Sequence, residues 1–238
     1  MDTTKLRYVP TDHRTVLCWD IDGTLLSTNG IGFKYLYQAS LQLTGQRLKG
    51  AHKDNHGLTD YEILIKSFTN SNFPAENALT VANNVLQKYV ELYRDAQDIH
   101  RIRPYPIFNS AFFSTLVGHG ILNVIVSGNC FEGALLKLQQ SKLEAFFDLD
   151  KSFFSSSTNW RRDMIVKNAL ELHGKTRTVV VGDTPRDYYL AKSFGLRCAL
   201  LNWRHDSVVD GLTDDENLTV FREQQLLTGS LLNFLTEN

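Results

Sequence analysis

Short apolar runs ending in polar or acidic residues alternate along this chain with longer segments of helical spacing. Val16, Leu17, Trp19 and Ile21 form a nearly continuous apolar stretch, which predicts a strand covered on both faces. It gives way to Asp20, Asp22 and a Gly23-Thr24 turn. From Ile31 to Leu43, Phe33, Leu36, Tyr37 and Leu41 recur at three and four, predicting a helix stopped by Gly45. Thr59 and Glu62 have capping-box spacing ahead of Tyr61, Ile63, Leu64, Ile65 and Phe68. A long helix is predicted from about Ala75 to Ala96, with Leu79, Ala82, Val85, Leu86, Tyr89, Leu92 and Tyr93 on one stripe.

Beyond Arg103-Pro104-Tyr105-Pro106 the texture changes. Ile121 to Val126 predicts a second buried strand, stopping at Ser127-Gly128-Asn129. Thr178 to Val181 predicts a third, ending in Gly182-Asp183-Thr184-Pro185-Arg186-Asp187, and Cys198 to Leu201 a fourth. Helices are predicted at Ile107 to Val117, Phe131 to Leu143, Met164 to Leu172, and from Pro185 to Phe194. Phe146 to Thr158 fits a short strand or a loop. The polar stretch after Asn202 has no clear pattern until the apolar segment Leu226 to Leu235.

Strands alternating with helices predict an α/β fold, a Rossmann-like parallel sheet core with helices on both faces. In such sheets ligands bind at the strands' carboxyl ends, so the polar ends of the first three strands should converge. A crossover needs only about 30 residues, yet Asp20 and Ser127 lie 107 positions apart. The surplus predicts an inserted α-helical cap over residues 27–103, with residues 1–26 and 104–238 forming the catalytic core.

The 238 residues suffice for a sizeable core, and 25 Lys and Arg against 26 Asp and Glu give no electrostatic case for nucleic acid or an anionic membrane. Cys18, Cys130 and Cys198 are odd in number and lack zinc-type spacing, so they read as reduced core thiols. The segment MDTTKLRYVP has no apolar core of signal-peptide length, and no stretch approaches the length of a membrane span. These features lead to the expectation of a cytoplasmic protein, monomer or homodimer. His173-Gly174-Lys175-Thr176 ends like a phosphate-binding loop, but Ala169 stands where the first glycine is required and a strand follows, which excludes a nucleotide triphosphatase.

Two carboxylates crowded at a strand end need a cation or a shared proton. Asp20 is the candidate nucleophile, able to attack phosphorus and form an aspartyl-phosphate, and Asp22 the candidate acid/base. Asp183 would complete an oxygen-ligand set suited to Mg²⁺. Thr24, Ser127 and the backbone around Gly128 and Asn129 could donate to phosphoryl oxygens. Arg162 is the natural phosphate-binding cation, with Arg161 as its rival.

Asp20-Ile21-Asp22-Gly23-Thr24, Ser127-Gly128-Asn129, a basic residue and Gly182-Asp183-Thr184-Pro185-Arg186-Asp187 together resemble the haloacid dehalogenase-like hydrolase superfamily. More narrowly, they are similar to phosphoglycolate phosphatase-like members with a helical cap after the first motif. The resemblance implies a Mg²⁺-dependent phosphatase acting on a small phosphorylated metabolite. Asp20 would be nucleophile and metal ligand, Asp22 acid/base and metal ligand through its carbonyl, Asp183 a metal ligand, and Asp187 a support for the site. Arg162 falls where the family often carries lysine. The loop leading to Gly57-Leu58-Thr59-Asp60 resembles the cap loop, which would place Lys53, His56, Thr59 and Asp60 near the leaving group. A phosphomutase using the same carboxylates and a phosphoryl-binding module without turnover are the alternatives; product analysis separates the first, and absence of hydrolysis across phosphate esters would favour the second.

Overall fold

The structure is a computed structural model; it describes residues 15–48, 55–69, 77–96, 99–203, 209, 211–212, 216–223, 225 and 229–236. In chain order, β1 (Thr15–Trp19) and the short β2 (Leu26–Ser27) precede helices α1 (Ile31–Thr44), α2 (Asp60–Thr69) and α3 (Ala78–Arg94). Then come β3 (Arg103–Pro104), α4 (Ser110–Gly118), β4 (Ile121–Cys130), α5 (Phe131–Gln140), β5 (Phe153–Ser155) and α6 (Arg162–His173). The chain continues through β6 (Thr178–Gly182), α7 (Pro185–Phe194), β7 (Arg197–Asn202), β8 (Leu218–Arg222) and α8 (Ser230–Thr236).

Six strands form one sheet in the order β5-β4-β1-β6-β7-β8, every pairing parallel. Alternation along each strand divides the core between its two faces. Leu17, Trp19, Ile125, Val179, Val181 and Leu201 pack on one side, together with α1, α3 and α4. Val16, Cys18, Leu122, Val124, Val180 and Leu200 pack on the other, against α6 and α7. Trp19 is fully buried; its indole N–H donates to Asn123 at 3.0 Å and its ring meets Phe108, Phe112 and Phe113 edge to face. All three cysteines are buried and unbridged.

The helices α1 to α3 lie between β2 and β3, which pair antiparallel through Leu26–Pro104 and Ser27–Arg103. That ribbon closes the base of the segment anticipated as a cap. Each predicted helix in it forms, and the capping box at α2 is present: the Glu62 N–H donates to Thr59 Oγ1 at 2.9 Å, and the Thr59 N–H to Glu62 Oε2 at 2.8 Å. Gly45, at φ 66°, terminates α1 in the left-handed conformation that glycine adopts without strain.

The short strands β2 and β3 were not anticipated, and two further elements differ from expectation. β4 runs four residues past Val126, so Ser127, Gly128 and Asn129 belong to the strand, all buried. Its pairing with β5 shifts register between Val126 and Cys130, an irregularity of the kind that re-aims side chains near active sites. β8 was not anticipated. Leu218 and Val220 enter the core, while Thr219 between them is half-buried, so the strand is short and its alternation weak.

Candidate active site

β1, β4 and β6 lie side by side in the sheet, and their carboxyl ends carry Asp20, Ser127 and Asp183 together. Asp20 follows β1 directly, and its N–H still donates to Val181 in the β6 ladder at 2.9 Å. Its Oδ1 accepts from the Ser127 hydroxyl at 2.9 Å and from Arg162 Nη1 at 3.2 Å. Oδ2 carries no hydrogen bond among the described residues. Arg162 Nη2 donates to Asp187 Oδ1 at 2.8 Å, so one guanidinium bridges two carboxylates. Asp187 Oδ2 accepts in turn from the Thr184 N–H and hydroxyl, the capping box that opens α7.

These burials set the local electrostatics. Burial pushes the Asp20 carboxyl up; Arg162 opposes this, but Asp187 and Asp22 add to it, and the net direction is upward. Burial also works against the Arg162 charge, yet Asp20 and Asp187 outweigh it and raise the guanidinium further. Arg161, the rival, projects outward and pairs with Asp163 on the surface. Arg162 is therefore the arginine of the site.

Asp20 and Asp22 do not share a cation. Asp22 Oδ2 accepts from Asn129 Nδ2 at 2.9 Å and from Lys137 Nζ at 2.5 Å, whereas its Oδ1 is buried without a hydrogen-bond partner among the described residues. Two different basic residues thus offset the repulsion that crowding would impose. Lys137 is only 2 % exposed, and it was not anticipated. The signal was present: on α5, Gly133, Ala134, Lys137 and Leu138 form the buried face, so a lysine occupies an apolar-stripe position.

The carboxylates that converge are Asp20, Asp183 and Asp187, with one oxygen of each within 4.8 Å of the others. Asp22, expected on the metal through its backbone carbonyl, is not part of this carboxylate cluster; its carboxylate pairs with Lys137 and Asn129. Three carboxylates with one guanidinium bridging two of them leave negative charge, and an all-oxygen set of this kind fits a hard cation such as Mg²⁺. Thr24, expected at the phosphate, is fully buried and donates its hydroxyl to Asp183 Oδ1 at 3.2 Å, which orients that carboxylate.

A cavity of about 410 Å³, in the range of small-molecule sites, opens over these groups. Asp20, Asp22, Ser127, Gly128, Asn129, Arg162 and Asp183 line it from the sheet. Its other wall comes from the helical segment, with Phe33, Leu36, His56, Ile63 and Tyr89. Asp60 also lines it, and Asp60 Oδ2 accepts from the Cys130 N–H at 2.9 Å, docking the start of α2 onto the end of β4. Thr59 does not reach the cavity: it is fully buried, and its hydroxyl donates to the Trp160 carbonyl at 2.5 Å. Lys53 lies outside the described residues. Gly128 is a point of close backbone approach, because a Cβ there would stand 2.9 Å from Thr59 Cα and 3.1 Å from the Leu58 carbonyl.

Residues 17–201 match the haloacid dehalogenase-like hydrolase family. No curated protein sequence matches the chain. Among solved structures, a protein from Clostridium acetobutylicum described as a predicted phosphatase superposes with a TM-score of 0.64 at 20 % identity, covering 93 % of this chain and 99 % of that one. A haloacid dehalogenase-like family hydrolase from Streptococcus pneumoniae gives 0.62 at 17 % identity, covering 91 % and 97 %. CbbY from Rhodobacter sphaeroides, in complex with phosphate, gives 0.62 at 15 % identity, covering 87 % and 93 %.

Proposed function

Because the chain belongs to the haloacid dehalogenase-like hydrolase family, we propose that it is a Mg²⁺-dependent phosphatase that hydrolyses a small phosphomonoester through an aspartyl-phosphate on Asp20. One observation carries the reading: both central carboxylates line the cavity and are held through one oxygen, and among the described residues Asp20 Oδ2 carries no hydrogen bond. Asp20 Oδ1 is held by Ser127 and Arg162, and Asp22 Oδ2 by Asn129 and Lys137.

In the first half-reaction Asp20 Oδ2 attacks phosphorus, the bond to the leaving oxygen breaks, and Asp22 gives that oxygen a proton. In the second, Asp22 takes a proton from water, the water oxygen attacks phosphorus, and the bond to Asp20 breaks to release phosphate. Ser127, the backbone at Gly128 and Asn129, and Arg162 donate to the phosphoryl oxygens. Asp20 and Asp183, with the Asp22 carbonyl and Asp187 in support, would hold Mg²⁺, which offsets the repulsion between carboxylate and phosphoryl group and polarises the latter. Helices α1 to α3 act as the cap, excluding bulk water and facing the leaving group with His56 and Asp60. The phosphate held by CbbY supports a small phosphorylated substrate of the same chemical kind. A panel of phosphomonoesters assayed with Mg²⁺ and with a chelator tests the proposal. Metal-dependent release of inorganic phosphate from at least one ester is expected; no release across the panel would overturn it.

A further inference from the structure

Burying an ammonium costs free energy that an apolar side chain on the same helix face would not. On α5 the neighbours of Lys137 on that face are Gly133, Ala134 and Leu138, so leucine or methionine at 137 would pack without the penalty. The structure places one acceptor on Lys137 Nζ, Asp22 Oδ2, reached across 115 residues of sequence. Asn129 Nδ2, from the strand that leads into α5, takes the same oxygen. Two donors from one continuous segment therefore fix Oδ2, while Oδ1 is buried and has no hydrogen-bond partner among the described residues.

The ammonium also sits where the helical segment meets the core. A Cβ built on Gly32 of α1 would lie 3.5 Å from Lys137 Nζ and 3.6 Å from the Tyr89 hydroxyl of α3. The Asp60 carboxylate at the head of α2 interacts electrostatically with the same ammonium. An anionic substrate group seeking Nζ would have to displace the Asp22 carboxylate, which argues against a recognition role. Resting on the phosphatase reading above, we propose that Lys137 is a positioning residue for Asp22: together with Asn129 it clamps Oδ2 and so holds the partly exposed carboxylate at the wall of the cavity, where the leaving-group oxygen is met when α1 to α3 are seated.

A residue that acts through the general acid matters most where the leaving group needs a proton. The test compares kcat/KM, which reports events through formation of the aspartyl-phosphate, for p-nitrophenyl phosphate and for an alkyl phosphate. In Lys137→Met the alkyl-to-aryl ratio of kcat/KM falls about 10²-fold, the lower range for a general acid, and Lys137→Gln, which keeps a donor, restores part of it. A ratio unchanged from wild type in both variants overturns the proposal, since a merely structural lysine would lower both esters alike. Should Lys137→Met fail to fold, Lys137→Gln carries the comparison. If wild type hydrolyses neither these esters nor any other of the panel, the phosphatase reading fails, and a crystal structure of the variant then decides the inference separately. Asp22 turning away from Asn129 supports it, and Asp22 unmoved refutes it.

Discussion

Arg162→Ala would leave the Asp20 and Asp187 carboxylates, with oxygens within 4.8 Å of each other, without the guanidinium that bridges them. Both acids are buried, so the lost attraction is not replaced by bulk water. Removing one partner of a buried ion pair costs about 3–5 kcal/mol. Arg162→Lys keeps the charge but offers a point donor rather than a fork. It should retain the 2.8 Å contact to Asp187 better than the 3.2 Å contact to Asp20 and lose one charge-assisted bond, about 1.5–3 kcal/mol. At about 2–4 °C per kcal/mol for a chain of this size, the alanine variant melts about 6–20 °C below wild type and the lysine variant falls between. Urea unfolding at pH 7 measures both, with an unchanged slope against denaturant identifying a true stability change. An alanine variant within about 1 kcal/mol of wild type would refute the bridged arrangement.

Two further predictions follow from burial. Gly128→Ala puts a methyl group 2.9 Å from Thr59 Cα, so the start of α2 must shift; stability should drop by about 1–3 kcal/mol, as overpacking does, and phosphatase activity with it. Equal unfolding midpoints for the variant and wild type would contradict that close approach. Burial pushes the Cys18 thiol up from 9.0 to about 12, so the unfolded chain gives up this proton first. The stability present below pH 9 is therefore lost as pH rises toward 12, at up to about 1.4 kcal/mol per pH unit, and Cys18→Ala should lack that part of the alkaline slope in urea unfolding.

Most of the sheet was legible because buried parallel strands write themselves as apolar runs, and Val16, Ile121 and Thr178 each begin one. Asp20, Ser127 and Asp183 could be brought together from sequence because each follows or ends such a run, and the order of strands in a parallel sheet does the rest. Choosing between Arg161 and Arg162 was beyond one-dimensional reading, since adjacent residues differ only in the direction in which the start of α6 points them. The pairing of the Asp22 carboxylate with Lys137 was not legible, because this tertiary partner has no local signature beyond its place on an apolar stripe. Thr59 was legible as a cap for α2, but its contact with Trp160, 101 residues away, was not.

In the proposed reaction Asp20 takes the phosphoryl group. Its most direct test is rapid acid quench of the enzyme during turnover of an active phosphomonoester, followed by mass spectrometry of the peptide containing Asp20. A phosphoryl adduct on Asp20, absent from Asp20→Asn, is the expected result. Turnover without any adduct on that peptide, or an Asp20→Asn variant that keeps full Mg²⁺-dependent activity, would contradict it.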